Sequence, residues 1–220
     1  MITFAKVLRV TPGILGLRFK RSPRGIIDSV FSIPEISPWQ VRPELERFAD
    51  IVAKLNASAV LEIGTANGGT LCVFSRLARP DAVIVSVDFP GDPRFGIGYG
   101  GARSLLYRAF SKSSQRMHLI RGDSHLSKTV SEVRKRCPCF DLIFIDGDHT
   151  YEGVKEDFSN YSPLIRSGGI IAFHDIIGEH SPESGFEVAR FWNEIKSSFR
   201  HEEIVENRSQ GWAGIGVLYC

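Results

Sequence analysis

From about residue 42 onward, stretches with apolar residues at helical spacing alternate with short, continuous apolar runs. Apolar residues recur at helical spacing in some stretches, the first of which opens at Pro43, and these stretches predict helices. The predicted helices span residues 43–55, 71–77, 126–135, 151–165 and 186–199. Between them lie short apolar runs rich in β-branched residues, which are typical of buried strands. The predicted strands span residues 59–63, 82–87, 117–120, 142–145, 170–173, 204–205 and 215–219.

Strands that alternate with helices in this way predict βαβ units, and therefore a mainly parallel sheet with helices on both faces. The last two strands follow one another without a helix between them. We therefore expect a terminal hairpin in which one strand is antiparallel to the rest. The predicted fold class is α/β, a doubly wound, mainly parallel seven-stranded sheet. We assign residues 42–220 to this domain and residues 1–41 to an N-terminal arm.

Composition and charge exclude several classes of function. The 220 residues are 43% hydrophobic and 24% charged, which is ordinary for a globular domain. With 27 basic and 25 acidic residues the net charge is +2, so we do not expect nucleic acid as a partner. No window approaches the roughly 20 apolar residues of a membrane span. The four cysteines lack zinc-site spacing, and we interpret them as reduced thiols of a cytoplasmic protein.

The N-terminal arm carries a concentration of positive charge. Its basic residues are Lys6, Arg9, Arg18, Lys20, Arg21 and Arg24. The arm mixes short apolar runs with these charges and lacks the continuous apolar region of a signal peptide. We expect a loosely packed leader, and the alternative is a basic arm that touches a partner subunit or a membrane surface. A homodimer formed through this arm is a further expectation.

A glycine-rich turn follows the first predicted strand, where residues 62–70 read E-I-G-T-A-N-G-G-T. In open α/β sheets ligands bind outside the carboxyl ends of the strands, and glycines there let the backbone approach the ligand. The dinucleotide fingerprint G-x-G-x-x-G, aligned on Gly64, would need glycine where this chain has Ala66. The turn instead resembles the E/D-x-G-x-G-x-G loop of class I S-adenosylmethionine-dependent methyltransferases, with Ala66 in place of the middle glycine.

That resemblance implies a set of cofactor-binding residues. In the family this loop holds the amino-acid end of S-adenosylmethionine, and its acidic residue helps to receive the ammonium group. The implied loop residues are Glu62, Gly64, Thr65, Ala66, Asn67 and Gly68. Asp88 ends the second strand, where an acidic side chain meets the ribose hydroxyls of either NAD or S-adenosylmethionine. Asp123 resembles the family's adenine contact, and a helix N-cap is the alternative.

Polar side chains also follow the fourth and fifth predicted strands. Asp146 leaves the fourth strand, His149 comes three residues later, and His174 and Asp175 end the fifth strand. Because neighbouring parallel strands end at the same sheet edge, we expect Asp146, His174 and Asp175 to form a divalent cation site. Carboxylates favour Mg²⁺, and a histidine ligand shifts the preference toward Mn²⁺. Local caps formed by His174 and Asp175 are the alternative.

The stretch from Asp141 to Ile176 carries a narrower resemblance. It contains D-L-I-F-I-D-G-D-H-T-Y-E-G-V, then Y-x-P-L, then G-G-I-I-A-F-H-D. These motifs resemble a bacterial branch of class I methyltransferases that includes sugar and macrolide O-methyltransferases and cephalosporin-hydroxylase-like proteins. The resemblance implies that Asp146 and Asp175 match metal ligands and that His149 matches a general base, while His174 stands where an acidic residue is usual.

The implied reaction is O-methylation of a hydroxyl on a sugar or another small natural product, with His149 and Asp146 as catalytic residues. Three alternatives stay open. An NAD-dependent oxidoreductase fits the fold, but Ala66 and Glu62 depart from its fingerprint. A non-catalytic S-adenosylmethionine-binding or scaffold protein would keep the loop alone. A hydroxylase-associated protein of the cephalosporin type would share the metal site.

The acceptor side offers weaker signals. Residues 89–103 are crowded with glycine and proline, which argues against a regular element there. A flexible lid over cofactor and substrate is one interpretation of this segment, and an ordinary surface loop or a disordered segment is the alternative. Arg103, at its end, is expected to be solvated rather than to meet an anionic substrate group. Tyr151 and Trp212 are candidates for stacking on a sugar ring.

Overall fold

A seven-stranded sheet forms the centre of the protein. The computed structural model describes residues 4–20, 22–89, 101–112, 114–178 and 186–220. The strands are β1 (Ala59–Ile63), β2 (Val83–Asp88), β3 (Arg116–Arg121), β4 (Phe140–Ile145), β5 (Ile165–His174), β6 (Arg200–Ile204) and β7 (Ile215–Tyr219). Their order is β3-β2-β1-β4-β5-β7-β6, and β7 runs antiparallel to the other six of these strands. The predicted fold class and terminal hairpin are confirmed.

Helices cover both faces of the sheet. In the described parts of the chain they are α1 (Phe4–Gly16), α2 (Pro23–Phe31), α3 (Arg42–Leu55), α4 (Gly69–Leu77), α5 (Gly101–Arg108), α6 (Ser127–Arg136), α7 (Tyr151–Tyr161) and α8 (Val188–Ile195). Short 3₁₀ turns cover Leu17–Phe19, Ser162–Leu164 and Lys196–Ser198. Within the described residues, none of these helices has the length and apolar character that crossing a membrane would require.

The central strands are buried on both faces because they consist of continuous apolar runs. Every residue of β1 and of β4 is buried. On one face Phe48 of α3, Phe74 of α4 and Phe144 of β4 pack with ring centroids 5.2–5.9 Å apart. A second apolar cluster packs α6, α7 and α8 against the opposite face. This two-sided burial fixes the carboxyl ends of β1, β2, β4 and β5, from which the polar side chains project.

The N-terminal arm is packed against the domain. Helix α2 begins after its N-cap Ser22, whose side chain accepts a hydrogen bond from the Gly25 N–H. The arm residues that join the same apolar cluster as α3 and α4 are Val7, Ile14, Leu17, Ile26, Ile27, Val30 and Ile36. The expectation of a loosely packed leader is therefore wrong for the described part of the arm. The division of the chain at residue 41 stays a prediction.

Several predicted elements have different ends in the structure. The helix predicted over 151–165 stops at Tyr161, because Pro163 lies in a 3₁₀ turn and has no N–H to continue the helix. Strand β5 then starts at Ile165, five residues earlier than predicted. The predicted strand 204–205 is the end of β6, which starts at Arg200 and pairs along its length with β7.

Helix α5 was not predicted, because its first residues belong to the segment crowded with glycine and proline. The candidate lid over residues 89–103 falls mainly on residues 90–100, which lie outside the described residues. Its end does not form a loop, since α5 begins at Gly101. Arg103 is thereby carried on a helix that faces the glycine-rich turn.

Candidate functional site

Backbone conformation explains the glycines of the turn after β1. Gly64, Ala66 and Gly68 all have positive φ angles, of 82°, 44° and 83°. A Cβ on Gly64 would overlap the backbone carbonyl of Asp146 and would lie 2.8 Å from the Cα of Gly147. Ala66 adopts the left-handed conformation that usually favours glycine, at a cost of about 1–2 kcal/mol. Ala66, which stands where the motif has its middle glycine, therefore adopts a left-handed backbone conformation that is strained for alanine.

Helix α5 supports this turn from outside. The Tyr107 hydroxyl donates a hydrogen bond of 2.5 Å to the Ala66 carbonyl. Arg103 donates to the same carbonyl and to the Asn67 side-chain oxygen, each at 3.3 Å. A Cβ on Gly68 would meet the Tyr107 ring. Arg103 is therefore bonded to the turn instead of being solvated, and α5 acts as a clamp that the sequence did not reveal.

Glu62 lies behind the turn and lines neither of the two cavities described below. Its side chain is fully buried, and its two carboxylate oxygens accept hydrogen bonds from Thr65 at 2.9 Å and from Thr70 at 2.6 Å. Burial raises the pKa of the Glu62 carboxyl to about 8. In the described structure Glu62 therefore orders the turn, and its contact with a cofactor ammonium stays a prediction.

This burial predicts a pH dependence of folding. The pKa of Glu62 rises from 4.5 to about 8 on folding, so the stabilisation that it contributes is complete below pH 4.5 and is lost as pH rises through 8. Between pH 4.5 and about 8, the free energy of unfolding of the wild type should fall as pH rises. In Glu62→Gln this fall should be smaller, by up to about 1.4 kcal/mol per pH unit. Urea unfolding at pH 5, 6, 7 and 8 measures the slope.

The matched control is Glu152→Gln, a change of an exposed glutamate in the first turn of α7. This control should keep the wild-type slope. If the free energy of unfolding changes with pH equally in Glu62→Gln and in the wild type, the Glu62 carboxyl has the same ionisation in the folded and unfolded states.

A cavity of about 440 Å³ opens at the carboxyl ends of β1, β2 and β4. The turn after β1 contributes Gly64, Thr65 and Ala66 to its wall. Asp88 at the end of β2 and Asp123 after β3 line the opposite side. The structure therefore brings together predicted cofactor residues that are far apart in sequence. Asn67 lines only the neighbouring cavity, while Gly68 lines neither and serves as N-cap of α4.

Asp123 organises the turn after β3 without capping the helix that follows. Its carboxylate accepts a hydrogen bond of 2.9 Å from the His125 backbone N–H, while Leu126 is the N-cap of α6. The His125 ring lies 3.4 Å from the buried carboxylate of Asp157 on α7. The hydrogen bond with Asp157 raises the pKa of His125 to about 9. His125 lines the cavity and was not predicted, because its partner comes from a distant helix.

A second cavity, of about 390 Å³, adjoins the first. Both are lined by Trp39, by the glycine-rich turn, and by Asp146 and His149. The second is closed by aromatic side chains, since Phe186 and Trp212 also line it. The His149 ring is stacked on Phe186 with centroids 4.9 Å apart. Tyr151, the other predicted stacking residue, lines neither cavity and donates instead to Glu194.

Two carboxylates and two imidazoles converge where β4 and β5 end. Oδ1 of Asp146 lies 3.4 Å from Nε2 of His149 and 3.4 Å from Nδ1 of His174. Oδ2 of Asp175 lies 3.5 Å and 3.3 Å from the same two nitrogens. Candidate ligand atoms of Asp146, His149 and Asp175 all lie within 4.8 Å of one another. This set contains His149 in place of the predicted His174.

The charges of this cluster depend on one another. Burial alone would raise the pKa of Asp146, but the His174 charge and hydrogen bonds with both imidazoles hold it well below its usual range. Burial disfavours the charged imidazoles, yet the carboxylates raise the pKa of His149 and raise that of His174 strongly. Protonated imidazoles can therefore balance the carboxylates, and a divalent cation bound there would displace those protons.

Two features of the cluster were not apparent in the sequence. Gln40, from the N-terminal arm, donates a hydrogen bond of 2.7 Å to Oδ2 of Asp146. Asp175 has a φ angle of 60°, a left-handed conformation that is strained for a residue other than glycine and that concentrates at functional sites. Glutamine before a predicted helix carries no diagnostic signal, and backbone strain is invisible without coordinates.

The chain is similar to known proteins in sequence and in fold. Residues 61–176, just over half of the chain, match a family described as a methyltransferase domain. The Sinorhizobium fredii protein y4gI is 30% identical over 152 residues, which cover 66% of this chain but only 16% of y4gI. Rhamnosyl O-methyltransferase of Mycobacterium bovis is 23% identical over 190 residues, which cover 80% of this chain and 72% of that protein.

Solved structures share the fold. An O-methyltransferase from Bacillus cereus in complex with S-adenosylhomocysteine superposes with a TM-score of 0.60 at 18% identity, covering 91% of this chain and 92% of that one. A TDP-rhamnose 3′-O-methyltransferase of calicheamicin biosynthesis superposes with a TM-score of 0.58 at 17% identity, covering 96% and 93%. At these identities the similarity shows the fold alone.

Proposed function

Since the chain belongs to the methyltransferase-domain family, we propose that it is an S-adenosylmethionine-dependent O-methyltransferase that acts on a sugar hydroxyl. One observation carries the proposal. The cavity at the carboxyl ends of β1 and β2 shares the wall formed by Asp146 and His149 with the aromatic cavity beside it. A methyl donor in the first cavity and a hydroxyl in the second would meet at those two side chains.

The first cavity suits the donor. Asp88 and Asp123 line this cavity, where Asp88 would accept hydrogen bonds from the ribose hydroxyls and Asp123 would contact the adenine, as the resemblance implies. The turn with Gly64 and Ala66 provides a close backbone approach for the amino-acid end. S-adenosylmethionine bound there would supply a methyl group on a positively charged sulfur, which is reactive toward an oxygen nucleophile in line with the carbon–sulfur bond.

The carboxylates of Asp146 and Asp175 fit a divalent cation, and His149 lies beside them. Candidate ligand atoms of the three side chains lie within 4.8 Å of one another, and carboxylate oxygens suit Mg²⁺ or Mn²⁺. The strained φ of 60° at Asp175 supports a functional constraint on that carboxylate. A cation held by Asp146 and Asp175 would lower the pKa of an acceptor hydroxyl. Gln40 would keep Asp146 oriented through its hydrogen bond of 2.7 Å.

We assign proton removal to His149. Its ring lines both cavities, and stacking on Phe186 restricts its orientation. As the new carbon–oxygen bond forms and the carbon–sulfur bond breaks, the hydroxyl proton would pass to the imidazole, which would be neutral once a bound cation has displaced its proton. His174 lines the second cavity only and is more deeply buried, and its Nδ1 faces both carboxylates, so we assign it to holding their orientation.

The acceptor is assigned from the shape of the second cavity and from relatives. Trp39 and Trp212 line this cavity, and flat aromatic faces pack well against the apolar side of a pyranose ring. Relatives point the same way, because one acts on a rhamnosyl group and another on TDP-rhamnose, as their names state. An NAD-dependent oxidoreductase is disfavoured, since the turn has Ala66 where the dinucleotide fingerprint has glycine.

The experiment is a methyl-transfer assay with TDP-rhamnose and methyl α-L-rhamnoside as acceptors, with Mg²⁺ or Mn²⁺ and again after EDTA. We expect S-adenosylhomocysteine and a methylated sugar to form together, and EDTA to lower the rate at least about tenfold. The Asp175→Asn variant should lose the response to metal. Asp50→Asn, a change of an exposed residue of α3, should keep it.

Two results would revise the proposal. If neither EDTA nor Asp175→Asn changes the methyl-transfer rate, the assignment of a metal site is contradicted, while the assignment of the protein as a methyltransferase still holds. Binding of S-adenosylhomocysteine without transfer to any hydroxyl acceptor would favour the non-catalytic cofactor-binding protein.

A further inference from the structure

Positive charge is segregated at one end of the chain. The first 27 residues contain six of the 27 basic residues and none of the 25 acidic residues. This segment therefore has a formal charge of +6, although the net charge of the whole chain is only +2. Among its basic side chains Arg9 forms an ion pair of 2.8 Å with Glu35, and Lys20 and Arg24 are exposed.

The same segment exposes large apolar side chains. Phe4 is 61% exposed, Leu8 is 75% exposed and Phe19, in the 3₁₀ turn after α1, is 85% exposed. Phe4, Leu8 and Leu15 are spaced four and seven residues apart, which places them on one face of α1. These four side chains line neither of the two cavities, whereas the exposed aromatic residues Trp39, Phe89, Phe186 and Trp212 each line at least one.

This apolar face is separate from the face that holds α1 to the protein. Val7 and Ile14 are the buried residues of the helix, and they belong to the main apolar core. One turn of an α-helix takes 3.6 residues, so the Val7–Ile14 seam lies roughly a quarter turn around the axis from Phe4 and Leu15. Helix α1 therefore packs on the protein through Val7 and Ile14, and its second apolar face, formed by Phe4, Leu8 and Leu15, is exposed.

We propose that α1 and the 3₁₀ turn after it form a docking face for the surface of an anionic lipid bilayer. Phe4, Leu8, Leu15 and Phe19 would enter the boundary between headgroups and acyl chains, as the apolar faces of interfacial helices do. Neighbouring basic side chains such as Lys20 and Arg24 would pair with lipid phosphates. The proposal does not depend on the methyl-transfer reaction, since none of these residues lines the cavities.

Charge favours a bilayer over a second copy of the chain. Two copies joined through this face would bring two segments of formal charge +6 together. An anionic bilayer supplies the opposite charge over its whole surface and accepts apolar side chains beside it. The combination of exposed apolar and basic residues, without acidic ones, matches that surface.

The test is co-sedimentation of the full chain with vesicles of phosphatidylcholine alone and of phosphatidylcholine with 30% phosphatidylglycerol, about one lipid in three, chosen to give a strong negative surface potential. We expect binding to the anionic vesicles at least about tenfold stronger than to the neutral ones, with loss of binding in 0.5 M salt, a concentration at which screening is about 4 Å. Leu8→Ser with Phe19→Ser, and separately Lys20→Glu with Arg24→Glu, should each weaken binding at least about tenfold.

Matched controls change equivalent residues elsewhere on the surface. Leu126→Ser removes an exposed leucine at the start of α6, and Arg134→Glu with Lys135→Glu reverses two exposed charges of the same helix. Both controls should bind as the wild type does, and circular dichroism should show all variants folded. Equal binding of the wild type to both vesicle types, or none to either, would overturn the proposal. A dimer in light scattering that becomes monomeric in Leu8→Ser with Phe19→Ser would also overturn it, by assigning the face to a second copy.

Discussion

We expect His149→Ala to lower kcat for methyl transfer by about 10² to 10⁴, the usual contribution of a positioned general base. The affinity for S-adenosylhomocysteine should change by less than about twofold, because the other walls of the first cavity stay in place. In the described structure the His149 ring lines both cavities and lies beside both carboxylates. Its Nε2 is 3.4 Å from Asp146 and 3.5 Å from Asp175. Steady-state kinetics and calorimetry together measure the two effects.

The control for this variant is His201→Ala, since His201 is an exposed residue of β6 and far in the fold from the sheet edge that carries the cluster. Titration with Mn²⁺ separates two roles of His149. An unchanged Mn²⁺ affinity in His149→Ala, with lost turnover, identifies a base. Lost Mn²⁺ affinity would instead identify a metal ligand, and unchanged turnover would remove His149 from the reaction.

We expect Gly64→Ala to weaken binding of S-adenosylhomocysteine at least about 100-fold, which corresponds to about 2.7 kcal/mol. A Cβ at this position would overlap the Asp146 carbonyl, and the φ of 82° is unfavourable for alanine. The backbone must move, and the movement shifts both the turn and the carboxylate next to it. Calorimetric titration measures the affinity, and thermal unfolding measures the accompanying loss of stability.

Gly101→Ala is the matched control, because a Cβ on Gly101 at the start of α5 would have no neighbour within 4 Å. That variant should bind S-adenosylhomocysteine as the wild type does. Wild-type affinity in Gly64→Ala would mean that the turn can relax without cost to the ligand, and would contradict the assignment of this turn to the cofactor.

Local pattern was enough to predict the sheet and most of the residues that meet at the candidate site. The apolar runs of β1 and β4 are typical of buried strands, and parallel strands bring their carboxyl ends together, so Asp146 and Asp175 were expected to meet. The strands that extend furthest beyond their predicted bounds, β5 and β6, contain glycine or charged residues that β-branched patterning does not mark.

The residues that the sequence missed act through distant partners. Gln40 meets Asp146 across 106 residues, and Tyr107 reaches Ala66 across 41. Glu62 was expected to face the ligand, yet burial and two threonine hydroxyls place it behind the turn. A homodimer and a cytoplasmic location stay predictions, because no contact between the described residues bears on them.

The central claim is that the cavity beside the glycine-rich turn binds S-adenosylmethionine, and calorimetric titration with S-adenosylhomocysteine tests it most directly. The titration is run with Mg²⁺, again after EDTA, and with NAD as the competing ligand. We expect one site per chain with a Kd of about micromolar order and no heat from NAD. Binding of NAD without binding of S-adenosylhomocysteine would contradict the cofactor assignment and would assign the cavity to a dinucleotide.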